Sequence, residues 1–592
     1  MYERNIYPAA CAGNSLRKNC TFAITHQIIQ DQCSIILSKD IGKHPPIAVF
    51  TEYNHLSKKE IMLSVQRLSY IHPDKEVLFS DISFVLQKHQ KASLIGNNGT
   101  GKSTLLKIVA GELSPSAGEV KQDARLYYIP QLLGQYDALS VAASLGVAHK
   151  LNALTEILSG HVTEENMAIL DDDWGIEERC REAFTHWQVF GLPLDQLMGN
   201  LSGGQKTKVL LAGISIHQPD CILMDEPGNH LDMEGRKMLY DLVQQTTATL
   251  LIVSHDRTLL NLADTTYELS KRGITAYGGN YAFYAAQKQL EQDALHQDLQ
   301  AKEKALRKAK EKERDTIERQ QRLDARGKQK QEKAGTARIM MNALRNKAEN
   351  STAKAKAVHN EKKEGIAKDL QALREVLPDT DKMKFDFDES DLHKGKILFA
   401  AKNINYRYGA QRLWKHDLDL EITSGERIFL QGTNGSGKTT LLKIIAGTME
   451  PATGSVYRSD NSIAYIDQDY SLLNHELSVY KQAQAFNNSG LQEHEVKIRL
   501  HRFLFGREDW DKPCSALSGG ERMRLALCCL TIAQKAPEIL MLDEPTNNLD
   551  IQNTAILSKA VKEYQGTLIV VSHDKYFLTE VATEKIINLE RP

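Results

Sequence analysis

Alternation of apolar and polar residues first becomes regular at Leu63-Ser-Val-Gln-Arg-Leu-Ser-Tyr70, which predicts a half-buried strand. The apolar run 91–95 predicts a second strand. It ends in a glycine-rich loop, and 105–109 continues with a helical pattern. The runs that end at Asp225 and Asp543 are apolar throughout, as are 249–253 and 567–571, and such runs predict fully buried parallel strands. Residues 282–378 differ, because helix-forming Ala, Lys, Glu, Gln and Arg dominate. Leu290, Leu299, Leu306 and Ile317 recur there at loose helical intervals, and Leu370, Leu373 and Leu377 mark a second stretch. The pattern predicts an antiparallel helical hairpin pointing away from its flanking domains, with Gly327 and Gly335 permitting the turn. Before residue 62 no periodicity is clear. Met62 directly precedes the first strand, so it is read as the true start, with 1–61 an unstructured leader or a misannotated start.

The pattern is duplicated. Gly96-Asn-Asn-Gly-Thr-Gly-Lys-Ser-Thr104 recurs as Gly432-Thr-Asn-Gly-Ser-Gly-Lys-Thr-Thr440, and Leu201-Ser-Gly-Gly-Gln205 as Leu517-Ser-Gly-Gly-Glu521. Met224-Asp-Glu-Pro227 recurs as Leu542-Asp-Glu-Pro545, and Val253-Ser-His-Asp256 as Val571-Ser-His-Asp574. The order is the same, and glutamate to histidine spans 29 residues in both copies. One α/β domain is used twice.

Strand, G-x-x-x-x-G-K-[ST] and helix form the context of a phosphate loop. Gly96, Asn97, Asn98, Gly99, Thr100 and Gly101 form the first loop; Gly432, Thr433, Asn434, Gly435, Ser436 and Gly437 form the second. Backbone N–H groups and a helix N-terminus offer partial positive charge to ATP phosphates there. Lys102 and Lys438 reach the β- and γ-phosphates. Ser103 and Thr439 are Mg²⁺ ligands, and Thr104 and Thr440 complete the loops. Asp225 and Asp543 stand at the C-terminal ends of buried strands, where open α/β sheets bind ligands, and complete the Mg²⁺ set. The next residues, Glu226 and Glu544, are placed to orient or deprotonate the attacking water. His255 and His573 read as γ-phosphate sensors, and Gln131 and Gln468 as Mg²⁺ and water contacts. Ser202, Gly203, Gly204 and Ser518, Gly519, Gly520 open a further helix in each copy and form a second anion-binding N-terminus.

Composition narrows the class. With 41% hydrophobic and 25% charged residues the chain suits a soluble protein. No apolar stretch approaches the ~18–20 residues that span a bilayer. The eight scattered cysteines include no CxxC pair, which suits a reducing cytoplasm. The formal charge of −2 hides an asymmetry: residues 301–360 hold 18 Lys+Arg against 8 Asp+Glu, a net +10, so the remainder carries −12. The basic tip, with Arg322, Arg326, Lys328, Lys330, Lys333 and Arg338 beside Ile339-Met340-Met341, suits a phosphate backbone.

These motifs resemble the ATP-binding cassette family, over about 62–280 and 396–592. The resemblance implies two P-loop cassettes in tandem, with Ser202 and Ser518 covering ATP held by the opposite cassette. An aromatic residue stacks on adenine in this family. Tyr408 fits that position in the second cassette, and Tyr70 and His72 both remain candidates in the first. Paired cassettes, a charged helical linker and Asp-Glu-Pro-x-Asn-[His/Asn]-Leu-Asp resemble the ABC-F branch of soluble ribosome-binding ATPases. That likeness implies domains at 62–280 and 396–592 with a linker at 281–395, in a cytoplasmic monomer with intramolecular cassette pairing. It implies the ribosome as partner, through rRNA and P-site tRNA near the peptidyl transferase centre, with no membrane domain. Transporter ATPase and DNA-maintenance protein are the competing classes.

Gln131 to Leu201 spans 70 residues and Gln468 to Leu517 only 49, so the first cassette carries about 21 extra residues around Asp171-Asp-Asp-Trp174. A short arm, a long tip and no basic tail resemble the antibiotic-protection group. Gly228 stands where the family has Thr, which Thr546 keeps, and Asn548 stands where His230 keeps the usual His. Both sites are expected to be competent, without being equal.

Overall fold

The computed structural model describes residues 61–333, 357, 360–373 and 395–590, apart from positions 74, 123, 271, 410, 434, 461, 534 and 548 and the side chains of 320, 324 and 327–333. Of the leader assigned to 1–61, only Ile61 is among them, and it opens the first strand.

In the first cassette, Ile61–Ile71 runs between Val77–Gln87 and Ala117–Gln122 in an antiparallel sheet. The strand is longer than its alternating core, because register shifts around Arg67 let it bend without ending. A second sheet has the order Leu126–Ile129, Cys221–Asp225, Thr249–Val253, Lys91–Ile95, Thr265–Ser270, Gly273–Tyr277. Its first five strands are parallel. Cys221–Asp225 and Thr249–Val253 are buried at every residue, which is why they read as unbroken apolar runs.

The second cassette repeats the plan. Its parallel sheet runs Ile463–Ile466, Ile539–Asp543, Thr567–Val571, Arg427–Gln431, Lys585–Asn588. Leu63, Leu94, Leu105 and Val253 belong to the core between the two sheets of the first cassette. Trp187, Leu211 and Ile252 belong to the core beneath its helices. This two-sided burial holds the strand ends in place, and the chemistry sits at those ends.

The two cassettes are joined by a long helical hairpin. Tyr281–Lys333 is one helix of 53 residues, and 360–373 is helical again. Lys363 Nζ lies 2.7 Å from Glu313 Oε2, and Lys302 pairs with Asp369. Partner numbers fall along one helix as they rise along the other, so the helices are antiparallel. Leu370 is buried in this seam. The described part of the returning segment faces 302–313, and Leu290 is 70% exposed. Gly327 lies inside the helix and not in the turn; its cost of about 1 kcal/mol is carried by the strong helix formers around it. Gly335 falls outside the described residues.

The root of the long helix is fastened where the cassettes touch. Tyr281 clusters with Ile95 and Leu260 of the first cassette, and Ile551 of the second packs against this cluster. The backbone N–H of Ala282 donates to Asn261 Oδ1 at 2.8 Å, and Asn261 Nδ2 donates to the Tyr576 hydroxyl at 3.3 Å. Arg257 Nη1 pairs with Glu580 Oε1 at 2.9 Å, and its guanidinium lies 5.7 Å from the centre of the Tyr576 ring. Tyr284 donates to Glu268 Oε1 at 3.1 Å, and Lys288 holds Oε2 at 2.9 Å.

Candidate functional site

Each phosphate loop leaves its strand and enters a helix through a glycine in the left-handed region, Gly101 at φ 93° and Gly437 at φ 90°. A Cβ at Gly101 would stand 2.7 Å from Leu78 Cδ2, and one at Gly437 2.6 Å from Leu413 Cδ2. Only glycine satisfies both constraints. Lys102 and Lys438 begin the helices and are almost wholly buried. Lys102 Nζ donates to the carbonyls of Gly96 at 2.7 Å and Asn97 at 3.1 Å. Lys438 Nζ does the same to Gly432 at 2.8 Å and Thr433 at 3.1 Å. Burial lowers the Lys102 pKa, against the charges of Glu226, Asp550 and Asp225.

A cleft of about 370 Å³ opens at the first loop. Asn98, Gly99, Gly101, Lys102, Ser103 and Thr104 line it with Gln131, Asp225, Glu226 and His255. His72 and Leu78 line it too, and Tyr70 does not. Tyr70 instead packs against Phe79. His72 lies 24 residues ahead of Gly96, as Tyr408 lies ahead of Gly432, and of the two first-cassette candidates His72 is the one that lines the cleft. Tyr408 is 59% exposed, and its hydroxyl is 3.1 Å from Thr440 Oγ1.

The strand ends carry the acidic groups. Both Asp225 oxygens are buried without a hydrogen-bond partner. In the second cassette Thr439 Oγ1 donates to Asp543 Oδ2 at 2.8 Å, and the Tyr465 hydroxyl donates to the same oxygen at 3.1 Å. A hydroxyl and a carboxylate at each loop are hard oxygen donors, and orphaned buried oxygens at Asp225 fit a small divalent cation completed by phosphate and water. Gln131 stands in the same cleft, whereas Gln468 is exposed.

Glu226 and Glu544 sit at φ 52° and 51°, a left-handed conformation costing roughly 1–2 kcal/mol outside glycine. The backbone N–H of Glu226 donates to Val253 O and that of Glu544 to Val571 O, both at 2.8 Å, and these bonds hold the turn. His255 Nε2 stands 3.3 Å from Glu226 Oε1, and His573 Nε2 3.2 Å from Glu544 Oε1. Burial, then the neighbouring Asp225, pushes Glu226 up to about 8. Burial pushes Glu544 up to about 7. The histidines move the other way, chiefly by burial: His255 to about 3 and His573 to about 4. Each site thus pairs a proton-avid carboxylate with a neutral imidazole.

That pairing has a measurable consequence. The folded, nucleotide-free chain favours the protonated glutamates, so this contribution is intact below about pH 4.5 and is lost as pH rises through about 7 and 8. The variant carrying Glu226→Gln and Glu544→Gln should therefore melt above the parent by roughly 5 °C at pH 9, with the gap closing by pH 5. Melting curves across that range check it, and a gap independent of pH would contradict it.

The signature serines cap their own helices. Ser202 Oγ accepts from Gln205 N at 3.3 Å, and Ser518 Oγ accepts from Glu521 N at 3.4 Å. Gly203 and Gly204, like Gly519 and Gly520, form the first turns of those helices. The residues lining the first cleft all belong to the first cassette, so Ser518 does not face that loop here. The cassettes meet elsewhere: Asn98 N donates to Asp550 Oδ2 at 3.0 Å. Asp550 was not among the expected site residues, although the repeated Leu-Asp ending of its motif marked it. Asn434 lies outside the described residues. Arg322 and Arg326 project from the linker helix into solvent. The side chains of Lys328, Lys330 and Lys333, and all of Arg338, fall outside the described residues.

Comparison with known proteins agrees with this geometry. The ABC transporter family model matches residues 79–229 and 415–547. The ATP-binding protein YdiF of Bacillus subtilis (strain 168) is 31% identical over 86% of this chain and 77% of its own length. ABC transporter F family member 5 of Arabidopsis thaliana is 28% identical over 87% of this chain and 73% of its own. Among solved structures, the archaeal ribosome recycling factor aABCE1, in complex with the ribosomal stalk protein aP1, superposes with a TM-score of 0.55. That match covers 88% of this chain and 87% of the other at 19% identity, a likeness of fold.

Proposed function

The chain belongs to the ABC-F family of ATP-binding cassette ATPases, and from that premise we propose that it is a ribosome-bound switch driven by ATP. The observation that carries the reading is the placement of the linker: a basic helix rooted where the two cassettes touch. No helix among the described residues is long and apolar enough to cross a membrane, so the pair of cassettes has another load in that linker.

In this mechanism Lys102 and Lys438 leave their loop carbonyls to hold the β- and γ-phosphates. The loop N–H groups and Gly101 and Gly437 cradle the rest. Ser103, Asp225 and Gln131 would hold Mg²⁺ in the first site, and Thr439, Asp543 and Gln468 in the second; the ion supplies charge neutralisation on the phosphates. Glu226 and Glu544 orient the attacking water and take its proton. His255 and His573, held neutral, remain free to donate one hydrogen bond to the γ-phosphate. His72 and Tyr408 stack on adenine. Ser202 and Ser518 cover the opposite nucleotide as the halves close.

The closed form fits the ribosome, and the tip (Arg322, Arg326, Lys328, Lys330, Lys333 and Arg338) meets rRNA and P-site tRNA near the peptidyl transferase centre. Hydrolysis reopens the halves and ends the stay. The two states differ in ribosome affinity, which makes ATP the selector between them. The chain then works as a cytoplasmic monomer that regulates translation or protects ribosomes from a bound antibiotic. Growth with and without ribosome-targeting drugs separates those outcomes.

Co-sedimentation tests the core of the proposal. With ATP the protein should pellet with ribosomes at least tenfold more than with ADP. Equal pelleting in both nucleotides, or ATP-dependent binding to membrane vesicles or DNA instead, would reject it.

A further inference from the structure

We propose that Tyr465 is a positioning residue for the second ATP site, its hydroxyl holding Asp543 in the orientation that a divalent cation requires. Tyr465 belongs to the edge strand Ile463–Ile466, which runs parallel to Ile539–Asp543 with Tyr465 paired to Met541. Its ring packs against the core between the two sheets of that cassette. A ring fixed in a core leaves its hydroxyl little freedom, so the group meets its partner already aimed. That partner is Asp543 Oδ2, which accepts from the Tyr465 hydroxyl at 3.1 Å and from Thr439 Oγ1 at 2.8 Å.

The two donors come from different elements. Thr439 reaches the carboxylate from the helix that follows the phosphate loop, and Tyr465 reaches it from the neighbouring strand. An ionised carboxylate only accepts hydrogen bonds, so both hydroxyls donate, and Asp543 cannot turn without breaking both bonds. Carboxylates that hold cations depend on such partners, and losing one typically costs about 10–100-fold in metal affinity. Thr439 has its own place in the cation's ligand set. Tyr465 has none and acts only through Asp543.

The arrangement is one-sided. Tyr128 stands at the matching place in the first cassette, three residues before Gln131 as Tyr465 stands before Gln468. It pairs with Leu223, two residues before Asp225, just as Tyr465 pairs with Met541, two before Asp543. Its ring likewise packs against the core between the sheets. Yet the Tyr128 hydroxyl and both Asp225 oxygens are buried without a hydrogen-bond partner. The same tyrosine in the same register thus makes its bond at one site only. The second carboxylate is preorganised for its cation, and the first is not.

The inference rests on Asp543 holding the cation and not on the ribosome reading. Mn²⁺ stands in for Mg²⁺, and its binding is followed by paramagnetic resonance on the full chain carrying Glu226→Gln and Glu544→Gln, with one ATP supplied per site. Adding Lys102→Ala confines the nucleotide to the second site, and adding Lys438→Ala confines it to the first. Tyr465→Phe keeps the ring and should weaken Mn²⁺ binding at the second site about tenfold. Tyr128→Phe should change the first site by less than about threefold, because no bond is lost there. ATP affinity in EDTA should be unchanged in both variants, a control that a merely structural defect would fail. Unchanged Mn²⁺ affinity in Tyr465→Phe, equal losses at the two sites, or a matching loss of ATP affinity in EDTA would overturn the inference. Asp543→Ala tests the premise and should abolish tight Mn²⁺ binding at the second site. Its failure to do so would remove the metal assignment and the inference together, whereas failure of Tyr465→Phe alone would leave the metal assignment standing.

Discussion

Replacing Glu226 and Glu544 together with glutamine should lower ATP turnover by about 10²–10⁴ while leaving ATP bound. Glutamine keeps the shape of the side chain but cannot take a proton. The phosphate loops, the lysines and the side chains of Ser103, Asp225, Thr439 and Asp543 are untouched, so affinity for ATP should stay within a few-fold. The strained turns at φ 52° and 51° are held by backbone bonds to Val253 and Val571, which the substitution leaves in place. The chain should then accumulate with both nucleotides enclosed. Phosphate release gives the first readout, and nucleotide retained after gel filtration gives the second. With ribosomes present, the double variant should remain on them through a chase that frees the parent. Ready departure of the variant would break the link between hydrolysis and release, even if the turnover loss were as expected.

Neutralising Arg322, Arg326, Lys328, Lys330 and Lys333 should weaken ribosome engagement and flatten its salt dependence. Each cation that meets a phosphate contributes close to one unit of slope in log affinity against log salt, so five together remove about 4 units. At 50 mM salt the loss should exceed a hundredfold, and near 0.5 M the parent and variant should converge. Arg322 and Arg326 are exposed on the described helix, so their loss exposes no core and leaves stability unchanged. ATP turnover without ribosomes should also be unchanged, because the cassettes keep every group of the two sites. A salt titration with parallel lines for parent and variant would return the tip to ordinary solvated surface.

The strands and loops of the cassettes were legible because their physics is local. Buried parallel strands demand unbroken apolar runs, and a phosphate loop demands glycine where the chain turns through positive φ. The sequence also carried the duplication, which fixed the glutamate–histidine pairs. What it could not carry was the relation between the halves. Asp550 owes its place to Asn98, hundreds of positions away, and no spacing rule reports that. Tyr70 and His72 stayed equivalent until the fold turned Tyr70 onto Phe79 and His72 into the cleft. Gly327 was misleading for a plain reason: a single glycine costs a helix about 1 kcal/mol, and neighbours with strong propensity absorb it.

The anchoring of Tyr281 turns the linker into a lever. Its short arm is one aromatic ring in a cluster with Ile95, the last residue before the first phosphate loop, and Ile551, the neighbour of Asp550, packs against that cluster. Its long arm is a 53-residue helix, about 80 Å from end to end. A tilt of about 10° at the root would carry the far end on the order of 10 Å, several nucleotide spacings, while the ring itself shifts by less than an atom's width. Displacements too slight to register at the ATP loops would thereby be read out at full scale on the far side of a large complex.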